Sequence, residues 1–186
     1  FGWAKSGGHA LGPTAKIRRM RETPEDIARL QELLDRSYAS AGRHHREIHS
    51  DRARLTARQV VDRLQGMRVF VVATVTSDGR PLTGPVDSFL YRGEVRFGTS
   101  PNALRARHIA RSPAVSATYV EGEGLVVTVH GDAEPLDLDG ADSDFTEFLR
   151  DHYGADMFDQ NLNGAPYYRI APRRFFAADM SVYTSG

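Results

Sequence analysis

The chain has 186 residues, the size of one domain with room for a genuine hydrophobic core. Its 24 basic and 24 acidic residues cancel, so overall charge gives no case for nucleic acid or an anionic membrane as partner, and any basic site must be local. There is no cysteine, which excludes disulfides and thiolate metal centres, and no apolar run approaches the length of a bilayer span. The opening FGWAKSGGHALGP lacks the apolar stretch of a secretory signal, and the expectation is a soluble, cytoplasmic protein.

In chain order, residues 1–22 read as an N-terminal arm, glycine-rich at its start and ordered only if a neighbouring subunit pins it. Residues 23–186 read as a single domain, with a β-rich part over about residues 67–180. Thr23-Pro24-Glu25-Asp26 has the form of a helix N-cap with proline at the first helical position. Ile27, Leu30, Leu34 and Tyr38 follow at helical spacing, and Gly42 closes that helix. RHHREIH brings His44, His45 and His49 together, but arginine stands where the zinc-protease pattern needs glutamate, so the expectation is a linker between helices and no metal. Thr56 and Gln59 form a capping box, Leu55 and Val60 a hydrophobic staple, and the helix they start stops at Gly66.

From Val69 the period changes to that of strands. VFVVATVT, the turn SDGRP and LTGPVDSFLY predict a hairpin, and Arg92-Gly93 turns the chain into EVRFGT. A basic helix over about residues 102–111 ends before Ser112-Pro113. AVSATYVE and LVVTVHGDAEPL then give two more strands, with Gly131 marking a bulge or a close backbone approach. A helix over about residues 141–153 presents Phe145, Phe148 and Leu149 on one face, and YYRIAPRRFFAADM supplies the last strand. About six hairpin-linked strands with flanking helices predict a mainly β, α+β fold, an antiparallel barrel whose closure removes exposed edges.

FGTSPNALRARHIA concentrates the chemistry. Gly98, Thr99 and Ser100 lie at a strand end, and the helix that follows brings Arg105, Arg107 and His108, the donor types that converge on a phosphate. Arg105 and Arg107 lie about 200° apart on a regular helix, so only one can face a small anion. Arg107 shares a face with Arg111, and Arg105 shares one with His108. The plainer reading is a solvated basic helix burying Ala103, Ala106, Ile109 and Ala110. Upstream, Gly84-Pro85 interrupts a strand, marking an edge or bulge where a flat ligand can approach the backbone. Asp87 reads as a solvated strand acid, and His130 as a structural histidine whose neighbours Val127 and Val129 take the opposite strand phase.

The ordered run ATVTSDGRPLTGPVDSFLYRGEVRFGTSPNALRARHIARSPAVSATYV, continued by VVTVHGDAEPL and YYRIAPRRFF, resembles the pyridoxamine 5′-phosphate oxidase-like flavin and deazaflavin oxidoreductases of split β-barrel fold. The likeness spans about residues 69–178. It implies a six-stranded antiparallel split β-barrel that binds FMN, or alternatively F420, in a homodimer with cofactor sites at the subunit interface. The resemblance puts the cofactor phosphate at Thr99 and Arg105, with Ser100 and Arg107 beside them and His108 in a hydrogen-bonding role. It runs Pro85, Val86, Asp87 and Ser88 along the flavin ring, chiefly through backbone. Leu104 occupies a position where such proteins often carry a second cation. The arginine and tryptophan pair that holds pyridoxal is not evident: the sole tryptophan is Trp3, and Arg169, Arg173 and Arg174 lie in a different context. Vitamin B6 oxidation is therefore not expected. The function implied is oxidoreduction of a small organic substrate with no catalytic residue assigned. The alternatives are a non-catalytic cofactor carrier and a haem-binding split barrel using His130 or His108.

Overall fold

A computed structural model describes residues 21–162 and 164–183; the proposed arm falls almost wholly outside them. The first helix, α1 (Pro24–Ala39), begins as its sequence dictates: Thr23 Oγ1 accepts from the Asp26 amide at 3.2 Å while the Asp26 carboxylate accepts from the Thr23 amide at 2.8 Å. It ends on Ser40, short of Gly42. The histidine segment is not a linker but a one-and-a-half-turn helix, α2 (Arg43–Ile48), capped by the His49 amide bonding back to His45 O. Helix α3 (Ala57–Arg63) opens on the Thr56–Gln59 box and closes at Leu64, and both staple residues, Leu55 and Val60, are buried.

Six strands follow among the described residues: β1 (Met67–Val75), β2 (Pro81–Tyr91), β3 (Glu94–Gly98), β4 (Ala114–Glu121), β5 (Leu125–Pro135) and β6 (Tyr167–Asp179). Every pairing is antiparallel, and the order β1-β2-β3-β6-β5-β4 closes on itself through the β1–β4 pair. Between β3 and β4 lies α4 (Leu104–Arg111). Between β5 and β6 lie α5 (Ser143–Tyr153), the single turn α6 (Ala155–Met157) and a π-helical turn (Phe158–Leu162). Burial alternates along β5, so Leu125, Val127, Val129 and Ala133 fill the barrel with Phe70, Val72, Phe97 and Phe175, while His130 takes the outer phase. At Gly131 the β5–β6 register shifts, as a bulge, and a Cβ there would stand 2.1 Å from the Ala171 carbonyl oxygen. The strand β2 is not interrupted at Gly84-Pro85; it runs unbroken, and Pro85 is tolerated because β3 pairs only with residues 88–91, leaving residues 81–87 without a second strand neighbour.

A second apolar cluster forms outside the barrel. Phe89 and Tyr91 point outward from β2 and pack with Tyr167 of β6 against Phe145, Leu149 and Phe158. Arg96 is buried over the Tyr91 and Phe145 rings, 3.4 Å from Asp142 Oδ1, and so holds the start of α5 to the barrel wall.

Beyond its short pairing with β3, the free edge of β6 needs other partners. Ser37 Oγ accepts from the Phe175 amide at 2.9 Å, and the Tyr38 hydroxyl accepts from the Ala177 amide at 3.1 Å while donating to the Ala177 carbonyl at 2.8 Å. The Leu55 amide reaches the same carbonyl at 3.0 Å, and the Asp179 amide reaches Ala53 O at 2.8 Å. In Tyr38→Phe the Ala177 carbonyl keeps Leu55 but the buried Ala177 amide loses its partner. The expected cost is about 1–3 kcal/mol, read as a lowered urea midpoint at unchanged m-value. An unchanged midpoint would show that this edge does not depend on α1.

Candidate functional site

The mouth of the candidate site is set by two backbone features. β3 ends at Gly98, opposite Tyr167, and the Thr99 amide bonds Pro166 O at 3.1 Å, which turns the chain outward with the Thr99 and Ser100 side chains at the rim. A side chain at Gly98 would press into the Tyr167 ring, its Cβ 2.7 Å from a ring carbon. Helix α4 then starts at Leu104, two residues later than its sequence suggests, with the Ala103 amide bonded back to Ser100 O.

Arg105 leans back from the first turn of α4, and its Nη1 donates to Thr99 Oγ1 at 3.2 Å. Its other terminal nitrogen occupies the space above Gly84: a Cβ at residue 84 would lie 2.6 Å from it. Burial alone pulls the Arg105 pKa below its ordinary value, and no carboxylate pairs with it among the described residues. The guanidinium stays charged, as arginine does throughout the ordinary pH range.

Two cavities meet at this contact. One, of about 330 Å³, has Asp87, Thr99, Ser100, Tyr153, Asn161 and Tyr167 in its lining, with Gly98 and Leu162 among the rest. The other, of about 240 Å³, is lined by Thr74, Thr83, Leu104, Arg105 and His108. In the first, burial and the nearby Asp87 carboxylate raise the Tyr167 pKa to about 12 and push that of Tyr153 up as well, so both phenols remain neutral donors. Burial lowers the pKa of His152 next to them against the opposing pull of Asp87.

The structure thus brings together Gly98, Thr99, Ser100, Asp87 and Arg105, and separates the other candidates. Arg107 is exposed and lines neither cavity. His108 is buried, its Nδ1 3.0 Å from Thr74 Oγ1, where it closes the end of the barrel beside Ile109, while Ala110 is exposed and does not join the buried side expected of it. Val86 and Ser88 point into the barrel, the latter bonded to Val86 O at 3.3 Å, so only their backbone can face a ligand. Pro85 is exposed on the outer wall. Arg169 and Arg173 are engaged elsewhere, with Glu134 at 2.9 Å and Asp132 at 2.6 Å. Sequence reasoning missed Tyr153, Asn161, Leu162 and Tyr167; the aromatic pair flanking the last insertion is the signal that was available.

A search of curated protein sequences finds no match. The solved structures include a conserved hypothetical protein of Mycobacterium tuberculosis, 20% identical, covering 73% of this chain and 92% of that one with a TM-score of 0.62. The haem storage protein of Vibrio cholerae is 18% identical, over 65% of this chain and 93% of that one, with a TM-score of 0.56. An FAD-binding protein of Mesorhizobium loti is 18% identical, over 67% and 93% respectively, with a TM-score of 0.52. At these identities the likeness is one of fold. The pyridoxamine 5′-phosphate oxidase sequence family matches residues 56–181, from the cap of α3 to just past the end of β6. A match over so much of the chain, on the closed six-stranded antiparallel barrel, shows that the protein belongs to the pyridoxamine 5′-phosphate oxidase family.

Proposed function

We propose that the protein is a flavin-dependent oxidoreductase that binds FMN through its phosphate at Thr99, Ser100 and Arg105, with the deazaflavin F420 as the alternative occupant. The observation that carries this reading is the Arg105 guanidinium. It is half-buried, has no carboxylate partner among the described residues, and is aimed by a hydroxyl at the strand end. A phosphate supplies the missing negative charge and accepts from both the guanidinium and the hydroxyls. Gly84 fits the same purpose, since any larger residue would displace Arg105. Family membership and the fold shared with the FAD-binding protein of Mesorhizobium loti support a flavin.

The flavin, when bound, supplies hydride transfer at its ring, and this chain's residues bind, orient and exclude water. Tyr153, Leu162 and Tyr167 wall the larger cavity, and Asp87 is the exposed carboxylate there for a polar substrate group to meet. No residue is assigned as acid or base. The fold shared with the haem storage protein of Vibrio cholerae leaves a haem reading as a competing outcome, with a non-catalytic carrier as another, but His108 is buried at the end of the barrel, which leaves it little room to reach a haem iron.

The site is completed, in this reading, by a second copy of the chain. Val69 and Val71 on the outer face of β1 and Val120 on β4 are exposed apolar residues, and Leu82 and Leu104 are exposed at the smaller cavity.

Titration of the purified protein with FMN and with F420, followed by fluorescence, is expected to show saturable binding of one of them and turnover with a suitable electron donor. Arg105→Ala should weaken that binding about ten-fold or more and Arg111→Ala less than two-fold. Gly84→Ala should keep the melting temperature and lose affinity several-fold by displacing Arg105. Equal small effects at 105 and 111, or a Soret band with hemin and no flavin binding, would overturn the phosphate assignment; binding without turnover would leave a carrier. Light scattering should give a dimer, and Val71→Asp a folded monomer with weakened flavin binding; a monomeric wild type that binds flavin fully would remove the second copy from the site.

A further inference from the structure

On the outer face of β5 and β6, away from the Thr99–Arg105 contact, α2 roofs a separate cavity of about 340 Å³. Its lining includes His45, His49, His130, Arg174, Phe176 and Thr128. The His45 and His49 rings stack at 4.4 Å between centroids, and His45 lies 4.3 Å from the Phe176 ring at a tilt of 49°, so three aromatic rings in mutual contact form one wall. The Nδ1 atoms of His45 and His49 are enclosed without a hydrogen-bond partner, and His130 Nδ1 is 2.8 Å from Ser116 Oγ. In all three rings Nε2 is therefore the nitrogen left for a ligand. An enclosed Nδ1 with nothing to receive its proton places that proton on Nε2, making His45 and His49 donors there.

The charge around the cavity has one sign. Arg174 of β6 has no ion pair or hydrogen bond among the described residues, and no acidic residue lines the cavity. Arg54, paired with Asp51 at 2.5 Å, lies 4.5 Å from the Tyr38 ring behind α2. Burial, first, and then these cations hold the pKa values of His45 and His130 below the ordinary imidazole range. Burial likewise lowers that of His49, with His45 and Arg54 adding to it. A metal is a poor occupant: ligating histidines donate their second nitrogen to a partner, which His45 and His49 lack, and the described residues contain no metal-holding group of three.

We propose that this cavity is a second ligand site, for a small flat organic anion whose carboxylate meets Arg174 and the Nε2 edges while its ring lies on Phe176 and the stacked imidazoles. The size suits one ring with a short substituent. Neutral donors beside a single free guanidinium suit one negative charge.

Benzoate and its uncharged isostere benzamide are the probes, titrated by ligand-observed NMR and calorimetry against the full chain with whatever flavin it carries. Benzoate is expected to bind with a Kd of about 1 mM or tighter and benzamide about ten-fold more weakly. Arg174→Gln should remove that preference, while the exposed control Arg107→Gln leaves it. Arg105→Ala should leave benzoate binding intact, which separates this site from the flavin reading whatever the fate of the latter. Because both exchanged arginines are exposed, unchanged melting temperatures will certify folded variants. Equal binding of the two probes, no benzoate binding at tens of millimolar, or the same effect from the two glutamine variants would each overturn the proposal.

Discussion

Strand β3 is five residues long and lies between strands of eleven and thirteen, and that mismatch governs how the rest of the chain is arranged. A short strand cannot satisfy two long neighbours. It pairs with residues 88–91 of β2 and 167–169 of β6, so each neighbour keeps a length of backbone with no strand beside it. Exposed strand edges invite pairing with other chains and leave polar groups to be satisfied, so each open edge has to be covered. On β6 the cover is α1 and the segment leading into α3, through Ser37, Tyr38, Ala53 and Leu55. On β2 only the Arg105 side chain of α4, lying over Gly84, approaches the open stretch, and residues 81–83 stay exposed.

Both cavities with chemical character follow from these covers. Docking α1 on β6 carries α2 onto the outer face of β5 and β6, which is how histidines 45 and 49 reach His130 and Phe176. Docking α4 on β1, through His108 with Thr74 and Arg111 with Val75 O, keeps its first turn beside the end of β3, so Arg105 meets Thr99 across six residues of sequence. The third wall arises differently. Phe89 and Tyr91 point out of the barrel because strand phase requires it once Val86 and Ser88 point in, and an outward aromatic pair needs a lid. Helix α5 is that lid, and the turns after it deliver Asn161 and Leu162 to the cavity.

The barrel was legible because local signals and tertiary demands agree in it. The alternation in β5, the Asp-Gly turn, the capping boxes at Thr23 and Thr56 and the Gly131 bulge are each decided within a few residues. Thr99 and Arg105 stand six residues apart, and it was the family resemblance, more than the spacing, that paired them. What the sequence could not convey depended on contacts between distant segments. The helical state of residues 43–48 rests on a surface made by β5 and β6, distant segments of the chain, and a stretch so short has little propensity to form alone. The burial of His108 in place of Ala110 likewise depends on Thr74 at the barrel end, a partner that helical periodicity does not reveal.

Arg105 and Arg96 show why burial of a cation is informative only with its partners in view. Arg96 is more deeply enclosed, yet it has two aromatic faces and the carboxylates of Glu94 and Asp142 within 3.5 Å, so its charge is answered inside the fold. Arg105 has one neutral hydroxyl and faces an open cavity. Desolvating a guanidinium costs free energy that a hydroxyl does not repay, and a fold under selection for stability alone would let such a side chain swing into water or pair it with an acid. Holding it over a glycine, beside two strand-end hydroxyls, makes sense when an anion arrives to complete the set. Of Arg169, Arg173 and Arg174, only the last lacks a carboxylate among the described residues, but it is exposed, so its case rests on the cavity it lines and not on the cost of desolvation.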